Sequence, residues 1–315
     1  FYQVDISGNL LTRERIRVIQ AILERKNLTV VTSTGGCMDK LIPLELFLEH
    51  CIHLKNDSEL DLEQMKKELV RLGYEREAQV ESCGQFSIRG GILDIFPLTE
   101  ENPWRIELWG DEIDSIRSFD VESQRSIENL EEITIYPATE MLLTEKALER
   151  GKKAIEKEAK RQSKYFRDQM LTEEGARVTQ NAKEICSMLD SGMDFTGAEQ
   201  YLSYFYPDTV SFLDYFPEDT RIFLDEPNRI LECADALTAE FRESMSHRLE
   251  KGYLLPGQAE LMDEVGTLCA RLNRRNCVAF CLLDLQRNQW KITGEYSVTV
   301  KSVNPYNNQF PVLVK

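Results

Sequence analysis

The sequence predicts an α/β protein: a body of helices and buried strands, interrupted by a small inserted α+β domain with an antiparallel sheet. Three observations predict it. Near the start, apolar residues at helical spacing give way to the β-branched run Leu28-Thr29-Val30-Val31-Thr32. From about Ala78 the apolar period shortens from 3.6 to 2. Beyond residue 220, helix and strand signals alternate again, so the α/β layer resumes after the insertion. The expected division is a first body segment at 1–50, an inserted domain at 51–137, and the remainder of the body at 138–315, with a charged helical region at 145–195.

Each element has its own local reason. Residues 11–25 read as an amphipathic helix with Ile16, Ile19, Ile22 and Leu23 on one face. Residues 28–32 read as a buried strand, and Ser33-Thr34-Gly35-Gly36 as a plain strand-to-helix turn. Residues 59–72 form the next helix: Ser58 or Asp57 can cap it, Leu62, Met65, Leu69 and Leu72 make its apolar stripe, and Gly73 can end it. The inserted sheet begins with Phe86-Ser87-Ile88-Arg89, turns at Gly90-Gly91 and returns along Ile92 to Phe96. Another strand, Trp104 to Trp109, meets the turn signal Gly110-Asp111, and the next runs from Glu112 toward Phe119.

Residues 145–170 read as a long charged helix. Its middle is crowded with Arg150, Lys152, Lys153, Lys157, Lys160, Arg161, Lys164 and Arg167. The first reading is a solvated helix face; the sharper one is a basic patch for an acidic partner. Arg221 to Pro227 and Val278 to Leu283 read as buried strands, with a helix at 229–248 between them.

Composition narrows the function. A chain of 315 residues, 42% hydrophobic, has room for two or three domains with real cores. Its net charge of -16 weighs against free nucleic acid as the main ligand, because such affinity rests on cations neutralising phosphates. No apolar stretch approaches the ~18 residues of a membrane span, and no signal peptide opens the chain, so a cytoplasmic protein without a membrane partner is expected. The first residue is Phe1, and the chain is read as a fragment. The eight cysteines contain no CxxC pair, which argues against zinc and for reduced, mostly buried thiols.

Catalytic motifs are missing from the sequence. A phosphate-cradling loop needs G-x-x-x-x-G-K-[ST], and that pattern does not occur. Leu224-Asp225-Glu226 resembles the strand-plus-acids signature of ATPases, and reads as coincidence or as the relic of an ATPase ancestor, with Pro227 closing the strand. His50 and His53, one turn apart on an expected helix end, lack a third metal ligand. No catalytic residue, metal or cofactor is therefore expected.

The informative stretch is Trp104-Arg105-Ile106-Glu107-Leu108-Trp109. Alternation puts Ile106 and Leu108 on one face and Arg105, Glu107 and Trp109 on the other. If the aliphatic face covers the core, an indole and a guanidinium stand exposed together, with Arg89 near them. Trp and Arg are the residue types most enriched at binding hot spots. The competing reading tucks the Trp under a loop and pairs Arg105 with Glu107 or Asp94.

The run Phe86-Ser87-Ile88-Arg89-Gly90-Gly91-Ile92-Leu93-Asp94-Ile95-Phe96-Pro97, with Arg105 to Arg117 and Phe119 to Ser126 after it, resembles the UvrB-homology module of the bacterial transcription-repair coupling factors. The resemblance implies a degenerate, UvrB-like and helicase-like α/β body with no working ATP site. It implies a non-catalytic inserted domain that docks UvrA, through Arg89, Arg105 and Trp109 carried over by motif, and recruits it to stalled transcription complexes in nucleotide excision repair. The family often has Phe where Trp109 stands. In the full-length family member, an ATP-dependent translocase, later domains are expected to meet RNA polymerase and double-stranded DNA, and one of them to mask the UvrA surface. Two alternatives remain beside it: a UvrB-like ATP-dependent DNA helicase fragment, and a scaffold touching DNA through the basic helix at 150–167.

Overall fold

The computed structural model describes residues 8–24, 27–191, 197–282 and 289–298. The expected end of the first helix at Arg25, the end of the charged region past 191, and Leu283 lie outside those residues.

The chain opens with helix α1 (Gly8–Leu23), whose Ile16, Ile19 and Ile22 are buried as their spacing predicts. Residues 28–32 do not form a strand. Leu28 and Val31 are exposed, and no neighbour pairs with the segment among the described residues. β-branched side chains favour extended backbone, but a strand also needs a ladder partner and a surface to cover, and neither is here. Ser33 is a helix cap rather than a plain turn: its hydroxyl accepts from the Gly36 amide and starts α2 (Thr34–Met38).

After β1 (Lys40–Leu41) and α3 (Leu44–Glu49) comes β2 (Ile52–Lys55). His50 caps α3 while His53 lies on β2, so the two histidines do not share a helix face. Helix α4 (Leu62–Arg71) is capped by Asp61, which accepts from the amides of Glu63 and Gln64, rather than by Ser58 or Asp57. Its stripe of Met65 and Leu69 is buried, and Gly73 follows it with φ +85°.

The largest sheet among the described residues has six strands in sequential order: β3 (Glu75–Arg76), β4 (Gln85–Arg89), β5 (Ile92–Ile95), β6 (Trp104–Trp109), β7 (Glu112–Phe119) and β8 (Ser126–Leu130). All neighbours are antiparallel except β3 and β4. An extra residue, Asp114, bulges from β7 opposite the Glu107–Leu108 step. This explains why Ile113 and Ile116, three apart, are both buried: without the bulge, period 2 would turn one of them outward. Strand β9 (Glu132–Ile135) then returns to pair antiparallel with β2. Leu69, Phe86, Ile95, Ile106 and Ile135 join one continuous core with Ile16, Ile155 and Phe205 from outside the sheet.

Helix α5 (Glu145–Asp168) packs along α6 (Thr172–Ser191) and against α7 (Leu202–Phe205). Gly151 lets α5 approach closely, since a Cβ there would lie 2.2 Å from the Phe205 ring. β10 (Val210–Ser211) pairs with β1.

Finally β11 (Arg221–Asp225), α8 (Pro227–Glu250), α9 (Val265–Leu272) and β12 (Asn276–Phe280) make a parallel two-stranded layer with its own core around Met38, Leu224, Leu268 and Leu272. Both strands exist, the second at Asn276–Phe280 rather than from Val278 to Leu283, but they are not buried on both faces. Phe223, Val278 and Phe280 are exposed, and the two Phe rings stack with centroids 6.1 Å apart. Parallel strands are normally covered on both sides, and among the described residues the helices cover only one. The Asp225-Glu226 pair has a structural use. Glu226, at φ +52°, donates its amide to Phe280 and accepts the Leu282 amide on its carboxylate, tying the strand ends together. Pro227 is the first residue of α8 rather than a strand terminator.

Candidate partner-docking site

The site expected at Arg89, Arg105 and Trp109 is built on β4 to β7. Arg89 ends β4 at the Gly90-Gly91 turn, and Trp109 ends β6 at the Gly110-Asp111 turn. Gly90 (φ +61°) and Gly110 (φ +66°) permit these tight reversals. The two tips lie side by side, because the Leu108 amide donates to the Gly91 carbonyl at 2.8 Å. A Cβ on either Gly90 or Gly110 would meet nothing within 4 Å, so the ground beside Trp109 is open. Trp109 itself is 84% exposed. Alternation therefore holds along β6: Trp104 and Ile106 turn inward and Trp109 turns out, with no loop over it among the described residues.

Arg105 is different. The pairing with Asp94 that was weighed against exposure is what the structure contains. Asp94 stands opposite Arg105 across β5 and β6, and its side chain is only 2% exposed. Arg105 donates Nε to Asp94 Oδ1 at 2.6 Å and Nη2 to Oδ2 at 2.8 Å, a two-point fork. Nη2 also donates to Gln124 Oε1 at 2.9 Å, and the guanidinium carbon lies 4.4 Å from the centre of the Phe119 ring. The hydrogen bond to Asp94 raises the guanidinium pKa, against the opposing effect of burial. With Nε and both Nη2 hydrogens used, Arg105 can meet a partner only through Nη1.

Arg89 shares the same carboxylate, donating Nη2 to Asp94 Oδ2 at 2.9 Å, but its side chain is half exposed and keeps donors to spare. Two residues along β6 from Arg105, Glu107 pairs with Arg117.

Asp94, a lone acid in an apolar run, was legible as a partner of Arg105; Gln124 was not. Gln124 is delivered by the turn at 120–125, where the Asp120 carboxylate accepts from the Ser123 amide and hydroxyl. Those two bonds hold the Asp120 carboxyl below the usual range. Gln124 takes φ +56° and donates to the Val121 carbonyl, which aims its oxygen at Arg105.

No group of three His, Cys, Asp or Glu among the described residues is arranged to hold a metal, and no described helix is long and apolar enough to cross a membrane.

The profile of the UvrB interaction domain family matches residues 52–141, the span that contains this sheet. Beyond it, 253 residues, 80% of the chain, align at 35% identity with the transcription-repair-coupling factor of Bacillus subtilis (strain 168). The chain belongs to the transcription-repair-coupling factor family. The family protein of Staphylococcus aureus (strain MRSA252) is 35% identical over 79% of the chain, and that of Staphylococcus epidermidis (strain ATCC 35984) 29% identical over 96%. These alignments cover 21% to 25% of the relatives, so the chain spans about a fifth to a quarter of the length of the coupling factors it matches.

Proposed function

We propose that residues 51–137 form a non-catalytic docking domain for UvrA, with Trp109 as its anchor and Arg89 and Arg105 as its charged flank. The observation that carries this reading is the 84% exposed Trp109 at a hairpin tip, on a sheet within the segment matched by the UvrB interaction domain family. An exposed indole on a rigid scaffold has large apolar area and little conformational freedom to lose on binding. Half-exposed Arg89 adds donors suited to forked pairing with a partner carboxylate. Within the family, the role is recruitment of UvrA to stalled transcription complexes, in the cytoplasm. RNA polymerase and double-stranded DNA are then met by the remaining length of a coupling factor.

The test is titration of the 315-residue chain with purified UvrA, beside Trp109→Ala. Loss of about 2 kcal/mol, roughly 30-fold in Kd, is expected. Wild-type affinity in Trp109→Ala would place the anchor elsewhere. No binding by the wild-type chain would overturn the reading.

A further inference from the structure

Helix α5 sorts its charges. Lys146, Arg150, Lys153, Lys157, Lys160, Lys164 and Arg167 recur at alternating steps of four and three, and all seven are exposed. The opposite face, formed by Ala147, Gly151, Ile155, Ala159, Ser163 and Phe166, is buried against the neighbouring helices. The cations therefore form one straight stripe on the outermost line of the helix, about 31 Å long at 1.5 Å per residue. Asp168 stands at the end of that line, and Glu149 and Glu156 flank it within ion-pair reach of Lys153 and Lys160.

Internal neutralisation is weak. Lys153 and Lys160 meet Glu149 and Glu156 only at 3.7 and 4.0 Å, and their own side chains stay 80% and 82% exposed. Lys146, Lys157 and Lys164 have no ion pair among the described residues. The helix holds nine basic and five acidic residues, a net of +4, within a chain of net -16. Repulsion from the rest of the molecule therefore does not extend evenly to this face.

We propose that this stripe is a sequence-independent binding site for the phosphate backbone of duplex DNA. Its composition favours phosphates over a protein partner. Five of the seven cations are Lys, which protein–protein interfaces use sparingly, and no apolar centre lies within the stripe. Lys is a compact point charge on a flexible stem, so it follows a regular polyanion without a fixed phosphate geometry. A 31 Å line of duplex presents far more phosphates than seven cations can meet, so no fixed register is needed. The binding is weak and steeply dependent on salt.

The test is fluorescence anisotropy of a labelled 30-base-pair duplex titrated with the 315-residue chain. Saturable binding is expected at about 50 mM salt, weakening on the order of 100-fold or more by 200 mM, because several counterions are released. Changing Lys153, Lys157, Lys160 and Lys164 together to Gln should weaken it at least tenfold, and Lys→Glu at the same positions more so. Equal charge reversal elsewhere, at Lys55, Lys66, Lys67 and Lys251, should have a much smaller effect. Circular dichroism melts of each variant establish that α5 remains folded, and the Gln set avoids new repulsion between Glu residues. No duplex binding at 50 mM salt, equal losses from the two sets, or tighter binding of poly-glutamate than of duplex would each overturn the proposal. The last outcome would mark an acidic protein as the occupant.

Discussion

Asp94 and Arg105 face each other across β5 and β6 and are joined by two hydrogen bonds of 2.6 and 2.8 Å. The carboxylate is buried and shared with Arg89, so it organises both arginines of the proposed docking surface from below. Removing one partner of a buried pair leaves the other unmatched. Asp94→Ala should therefore destabilise the chain by about 2 to 3 kcal/mol, discounted because both guanidinium groups reach solvent. Urea unfolding of Asp94→Ala checks this; an unchanged midpoint would contradict it.

Arg105 and Trp109 should part company when truncated. Trp109→Ala removes only exposed surface, so its unfolding midpoint should match wild type while UvrA affinity falls. Arg105→Ala should lower both, by about 1 to 2 kcal/mol in stability, since it strands Asp94. Parallel denaturation and binding curves read the difference. A stable Arg105→Ala with lost affinity would make Arg105 a direct contact rather than a support.

Gly151→Ala reverses the usual rule for helices. In an open helix the change stabilises by up to ~1 kcal/mol. Here the new methyl would stand 2.2 Å from a ring carbon of Phe205, which is fully buried. Overpacking of this kind costs about 1 to 3 kcal/mol, so the melting temperature should fall. A rise would show that α7 yields freely.

Thiol chemistry should follow burial. Desolvation pushes the Cys51 thiol up to about 11, and its Sγ donates to the Phe47 carbonyl at 3.1 Å. Cys233 is exposed on α8. Near pH 8, iodoacetamide should modify Cys233 early and Cys51 late, because the thiolate is the reactive form. Mass spectrometry of peptides over time reads the order; early labelling of Cys51 would refute it.

Glu140 links stability to pH. Burial raises its pKa, opposed by the charge and hydrogen bond of Arg15 at 2.6 Å. The folded chain then holds this proton more tightly than the unfolded chain. Its contribution is most favourable at low pH and is lost as pH rises from the ordinary Glu value of about 4.3 through the raised one. Glu140→Gln should flatten that part of the stability curve without abolishing it, since burial also raises Asp39. Urea midpoints between about pH 4 and 7 measure the slope.

Local signals in the sequence carried most of the elements. The 3.6-residue stripes of α1 and α4 and the two glycine turns of the sheet are local patterns, and each forms where its pattern places it. The misses depend on distant partners. Residues 28–32 have strand composition but no ladder, and β2 and β9, about 80 residues apart, gave no sign of pairing. Trp109 was legible because alternation decides its face. Pairing of Arg105 with Asp94 was one of two readings open from the strand order, and its contact with Gln124 was not legible, because Gln124 arrives through a turn whose geometry rests on Asp120 and Ser123.

The stacked rings of Phe223 and Phe280 on the uncovered side of β11 and β12 bear on how this chain behaves in a test tube. A flat aromatic face beside parallel backbone is a natural seed for self-association, and like-charge repulsion from a net of -16 is what holds copies apart. Salt screens that repulsion over distances beyond about 10 Å at 0.1 M, yet leaves apolar attraction intact. Concentrated stocks should therefore stay clear longest in dilute buffer and cloud as ionic strength rises.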